Sequence, residues 1–111
     1  MSDFPEAPSR DHGPQPLDVV LHRWGLSNAQ LVAAASEQLT HKQVQRARTG
    51  RQLTLRMMMK LARNLNDVIV AGLPEQKRKA FTPYLHRHLF TYAKGYDAER
   101  PDPNAAMTET E

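Results

Sequence analysis

The sequence predicts an all-α fold on three observations. Apolar residues recur at helical spacing through the middle of the chain. Strand signals are missing: there is no alternating Val/Ile/Tyr run and no Asn-Gly or Asp-Gly hairpin turn. Helix-start devices recur thirteen residues apart, at Ser27 and again at Thr40. With 111 residues the chain is the size of one domain. The expected architecture is a small helical bundle of five to six helices with disordered N- and C-terminal tails.

The first helix is predicted from Leu17, Val20, Leu21 and Trp24, at i, i+3, i+4 and i+7, with Gly25 as its left-handed stop. The second starts at Ser27. Ser27 and Gln30 form a capping box, and Leu26 with Leu31 a hydrophobic staple around it. This helix, about 28–35, is Ala-rich, and its small residues permit close approach of a neighbour. The third repeats the pattern, with Thr40 and Gln43 as the box and Leu39 and Val44 as the staple. It is expected over 41–49 and ends at Gly50. Thr54 opens a long fourth helix over 55–70, with Leu55, Met58, Ala62, Leu65 and Ile69 on one face and a stop at Gly72. A short helix is expected over 74–80. Thr82-Pro83 predicts a last one from 83 to about 94.

Residues 1–15 are Pro-rich with almost nothing apolar to bury, and 97–111 are acidic and again contain Pro. Both are expected to be disordered, leaving 16–96 as the folded domain. Charge follows the same division. Residues 16–96 carry thirteen Lys and Arg against four acids, a net +9, whereas the first fifteen residues carry −2 and the last fifteen −4. A basic body with acidic ends suits a polyanion partner.

Two short helices with a tight connection outline a helix-turn-helix. On the second of them Val44 and Ala47 face the core. His41, Lys42, Gln45, Arg46 and Arg48 then face largely outward, on a surface without any acid. Lys and Arg are donors suited to guanine, and Gln to adenine. Arg51, just past the helix, is a phosphate-contact candidate, and Asn28 and Gln30 at the start of the preceding helix complete the expected DNA-binding set. Residues 26–65 resemble the Cro/CI (lambda-repressor-like) helix-turn-helix family. The resemblance rests on Leu26-Ser27, Leu31 with Ala33 and Ala34, Thr40, Val44, Gly50, and Leu61-Ala62 with Leu65. It implies a lambda-repressor-like DNA-binding domain, transcription regulation, and base reading from His41, Lys42 and Arg46. Two features depart from the family. The connection Ala35-Ser36-Glu37-Gln38-Leu39 is about two residues longer and lacks Gly. Arg48 stands where the family commonly has Glu, which makes the face more basic.

Other classes are weaker. Cys is absent, the four acids of the body are scattered, no Gly-rich phosphate loop occurs, and His86 and His88 point about 160° apart on a helix. No enzyme activity, metal or cofactor is therefore expected. No apolar run is long enough to span a membrane and no signal peptide is present, so a cytoplasmic location is expected. The expected partner is double-stranded DNA; the alternative is a helical protein-protein interaction adaptor without sequence-specific DNA binding. Lys77-Arg78-Lys79 reads as a solvated helix face. On a helix from Pro83, Leu85, His88, Leu89, Tyr92 and Tyr96 fall on one stripe. Phe90 falls on the opposite side with His86, Arg87 and Lys94, at about 100° per residue. An outward Phe90 is the candidate contact for a homodimer.

Overall fold

The computed structural model describes residues 11–108, and every regular element among them is helical. The order is α1 Pro16–Arg23, α2 Asn28–Ala34, α3 His41–Thr49, α4 Leu55–Gly72, α5 Glu75–Arg78, α6 His86–Leu89 and α7 Ala105–Thr108. The fold is the expected all-α bundle. Among the described residues it has seven helices rather than five or six, because α7 lies in the segment expected to be a tail; α5, α6 and α7 are single turns of four residues.

The helix starts form as the sequence dictates. Ser27 Oγ accepts from the Gln30 amide at 3.1 Å, and Gln30 Oε1 accepts from the Ser27 amide at 2.8 Å. At Thr40 and Gln43 both bonds are 3.0 Å. Each box satisfies donors that a helix N-terminus leaves without partners. Thr54 caps α4 by accepting from the Met57 amide at 3.1 Å, without a return bond because Met57 has no acceptor to offer. Arg78 closes the other end of α4, donating to the Val70 and Leu73 carbonyls at 3.0 Å each, so this member of the basic cluster has a structural task.

Leu17, Leu21, Leu31, Val44, Ala47, Leu61 and Leu65 are fully buried where α1, α2, α3 and α4 meet. Full burial of each Leu or Val is worth about 1.5–3 kcal/mol. Leu55 departs from the expected face and is 55% exposed. The buried stripe of α4 runs from Leu61 to Ala62, and at about 100° per residue Leu55 falls beyond its edge, in the first turn. Of the three consecutive methionines only Met58 is buried, Met57 is half-buried and Met59 exposed.

The C-terminal third differs most from expectation. No helix runs from 83 to 94: regular helix there is limited to α6. Buried or half-buried carboxamides capture the backbone instead. Asn66 accepts from the Tyr84 amide at 2.8 Å and donates to the Tyr84 carbonyl at 2.9 Å. Asn104 pairs in the same two-way manner with Thr82, at 2.8 Å for both bonds. Gln15 Oε1 accepts from the Thr91 amide at 2.7 Å. With these groups taken, the chain is extended before α6 and turns inward at Phe90, whose backbone is extended at φ −134° and ψ 124°. Phe90 is consequently fully buried and Leu85 exposed, the reverse of the helical expectation. A fully buried Phe90 offers nothing to a second copy, so the homodimer contact placed there is withdrawn.

The tails are also partly bound. Residues 11–15 cross the end of α3, with the His12 amide donating to the Gly50 carbonyl at 2.8 Å and the Gln15 amide to the Arg48 carbonyl at 3.0 Å. Gly50 has φ +109°, and a Cβ there would fall inside the backbone of Gly13, so both the turn and the crossing require glycine. At the other end Asp102 accepts from the Tyr84 hydroxyl at 2.8 Å and from Arg23 at 3.4 Å, while Trp24 Nε1 donates to the same hydroxyl at 3.0 Å. Residues 11–15 and 97–108 of the expected tails thus make defined contacts with the body. Residues 1–10 and 109–111, the rest of the expected tails, lie outside the described residues.

Tyr84→Phe strands the Trp24 N–H and removes one donor from the Asp102 carboxylate, and should cost about 1–3 kcal/mol. Urea denaturation followed through Trp24 fluorescence measures it; a loss under about 0.5 kcal/mol would show that the C-terminal segment docks without this relay. Burial pushes the Tyr84 phenol up to about 12 from its ordinary 10.0. The folded pKa is the higher one, so this contribution is complete below the ordinary value and is lost as pH rises toward the folded one, a decline that the Phe variant should show less of.

Candidate nucleic-acid interface

α3 is amphipathic because its two apolar residues are three apart. Val44 and Ala47 are fully buried, and this fixes the rotation of the helix. His41, Lys42, Gln45 and Arg46 are left exposed. Among the described residues the side chains of His41, Lys42 and Arg46 make no hydrogen bond or ion pair. All three are available to an external acceptor.

The remaining predicted residues have internal partners. Arg48 is half-buried, with Nε donating to Asp18 of α1 and Nη1 to Asn28 Oδ1 of α2, both at 2.6 Å. Asn28 Nδ2 donates in turn to Gln45 Oε1 at 2.8 Å. Asp18, Asn28, Gln45 and Arg48 therefore form one chain of polar contacts across α1, α2 and α3. Arg48 was expected to face outward. It instead turns back over α1 because Asp18 supplies the one carboxylate within its reach, and a charge-assisted bond outweighs free solvation of a partly covered guanidinium. Gln30 spends its side-chain oxygen on the capping box. Arg51 is exposed, its amide donating to the Arg46 carbonyl at 3.0 Å and its own carbonyl accepting from the Tyr92 hydroxyl at 3.3 Å.

The long connection between α2 and α3 is organised by a residue that sequence reasoning did not single out. Asn64 of α4 is fully buried. Its Oδ1 accepts from the Glu37 amide at 3.1 Å, and its Nδ2 donates to Glu37 Oε2 at 3.1 Å and to the Lys60 carbonyl at 2.9 Å. Arg63 clamps the same Glu37 carboxylate with two bonds, at 3.1 and 3.0 Å. These bonds hold Glu37 below the usual carboxylate range, and the Arg63 guanidinium is raised in return. A connection without glycine is thus fixed from outside, by α4.

Electrostatically the region is one-sided. Residues 41–63 hold seven Lys and Arg and no acid. Of the acids beside it, Asp18 and Glu37 are paired with Arg48 and Arg63, while Asp11, bridged to Arg51 at the end of α3, accepts from the Gly13 amide. Arg56, exposed in the first turn of α4, belongs to the surface and was also missed. Its signal was legible: Arg56, Lys60 and Arg63 stand at i, i+4 and i+7, one face of a helix. Among the described residues no group of three His, Asp or Glu side chains could hold a metal ion, and no helix is long and apolar enough to cross a membrane. Comparison with known proteins finds no match to a family model, a curated protein or a solved structure.

Two arginines two residues apart should behave oppositely. Arg48→Ala leaves Asp18 and Asn28 without their partner and should cost about 1–3 kcal/mol of folding stability. Arg46→Ala, on the open side, should change stability by less than about 0.5 kcal/mol. Equal losses in parallel urea titrations would refute the division of α3 into a bound and an open side.

Proposed function

We propose that the chain is a double-stranded DNA-binding protein and regulates transcription, with α2 and α3 acting as a helix-turn-helix and α3 as the helix that enters the major groove. One observation carries the reading. The exposed side of α3 presents His41, Lys42 and Arg46 without internal partners among the described residues, while Asp18 and Glu37 beside it are held in ion pairs with Arg48 and Arg63. An unopposed positive face draws in phosphates through counterion release, and Arg or Lys in the major groove reads guanine O6 and N7. The resemblance of residues 26–65 to the Cro/CI family supports the same assignment. Arg46 is the principal base-reading residue, His41 and Lys42 lie at the groove entrance, and Arg51 and Arg56 meet the backbone. Asn28, Gln45 and Arg48 move from direct contact to positioning.

A second reading is favoured by a different observation. Leu55 and Met59 are 55% and 42% exposed and stand at i and i+4 on α4. Two adjacent exposed apolar side chains suit a protein partner and would make the domain an interaction adaptor.

Fluorescence anisotropy with labelled duplex separates the two. At low salt the protein should bind random duplex, with affinity falling by about 0.9 log units per log unit of salt for each phosphate neutralised. On a selected site Arg46→Ala should cost about 1–3 kcal/mol and relax preference at one base pair. Arg56→Ala should weaken all sequences alike and flatten the salt slope by about one phosphate. No binding to any duplex at low salt leaves the adaptor reading; equal, sequence-independent losses for both substitutions exclude base readout.

A further inference from the structure

A cleft of about 380 Å³ lies between α1, α6 and the segment 96–103, away from the open side of α3. Val19, Val20, Tyr96 and Pro101 give it apolar walls. Arg87, His88 and Arg100 supply its polar lining from the other side. A volume of this order with apolar walls and a few convergent polar groups suits a small ligand.

The charge of the cleft is decided by which groups are already spent. Three acids also border it. Asp18 is held by Arg48, and Asp102 by Tyr84 and Arg23. Asp97 accepts from the Glu99 amide at 2.9 Å. Neither Arg87 nor Arg100 has a side-chain hydrogen bond or ion pair among the described residues. The stem of Arg87 lies over Gly95, where an added Cβ would come within 3.2 Å of the Arg87 Cδ, so the absence of a side chain makes room for it. His88 Nδ1 accepts from the Leu85 amide at 2.9 Å, which leaves Nε2 as the ring's free donor. Burial first, then the charges of Arg100 and Arg87, hold this imidazole below its ordinary pKa; Asp102 opposes them more weakly, and His86 adds a smaller lowering. Two cations that make no ion pair among the described residues, set against the one carboxylate in the cleft without an ion pair, Asp97, and beside a neutral imidazole donor, leave the site short of one negative charge.

We propose that this cleft binds a small organic anion, with its charged group between Arg87 and Arg100, Nε2 of His88 as a further donor, and its apolar body against Val19, Val20 and Tyr96. The site also touches α3. Asp18 and Gln15 on its rim are the residues that bond to Arg48, through the Arg48 guanidinium and the Arg48 carbonyl respectively. On the DNA-binding reading above, an occupant therefore sits against the residues that set the position of the groove-reading helix.

Binding is tested without DNA, so its failure and that of the DNA reading are distinguishable. Benzoate is titrated into ¹⁵N-labelled full chain, with inorganic phosphate supplying charge without an apolar body and benzyl alcohol supplying the body without charge. Benzoate should give saturable shifts at the amides of Val19, Thr91 and Arg100, more tightly than either control. It should also raise the pKa of His88, read from its ring resonances in the wild-type chain, because a bound anion stabilises the imidazolium. Arg87→Gln and Arg100→Gln, both at exposed positions, should each weaken benzoate by about tenfold, the worth of one charge-assisted contact. The proposal is overturned by shifts that never saturate, by a His88 titration that benzoate leaves unmoved, by benzyl alcohol binding as tightly as benzoate, or by unchanged affinity in both variants.

Discussion

Arg48 sits where three helices meet, and its guanidinium ties them together. One nitrogen reaches Asp18 on α1 and another reaches Asn28 on α2. The backbone carbonyl of the same residue receives the amide of Gln15, so the N-terminal crossing is fastened to the same point. Val44 and Ala47 set the rotation of α3 by burial, which is strong but non-directional. The Arg48 bonds are directional, and they fix where along α1 and α2 the helix lies. Because they consume the acids and amides on the inner side, the outer side is left with His41, Lys42 and Arg46 and nothing to oppose them. The open face and the closed network are thus two consequences of one arrangement.

The same logic governs the longer connection before α3. An Ala-Gly turn positions two helices by its own backbone conformation. Ala35-Ser36-Glu37-Gln38-Leu39 has no such preference, and its position is imposed by Asn64 and Arg63 acting together on Glu37. A buried amide with all its bonds made is a costly group to remove and a specific one. The site therefore depends on α4 as much as on α2 and α3, although α4 gives the open face only its first turn.

How much of this was legible in the sequence depends on the range of the interaction concerned. Ser27 with Gln30, Thr40 with Gln43, and Thr54 act within one turn, and all three caps could be read from spacing alone. Gly50 as a left-handed stop and the buried pair Val44 and Ala47 were equally plain. The errors share one cause. Asn66, Asn104 and Gln15 bind backbone groups 18, 22 and 76 residues away, and no local pattern announces them. They convert an expected helix over 83–94 into extended chain before α6 and turns after Phe90, so Phe90 is buried and Leu85 exposed against expectation, while Leu89 and Tyr92 still pack on the body. Arg48 was misplaced for a similar reason, since its partners lie 30 and 20 residues away. Short-range chemistry was readable, and long-range polar pairing was not.

The proposed function rests on the side of α3 that this pairing leaves open, and chemical-shift mapping addresses that point most directly. A short duplex titrated into ¹⁵N-labelled protein at low salt should perturb the amides of 41–49 and the first turn of α4 most strongly, with the α1–α6 cleft little affected. Perturbation confined to other surfaces, or none while the spectrum remains that of the folded chain, would contradict the account.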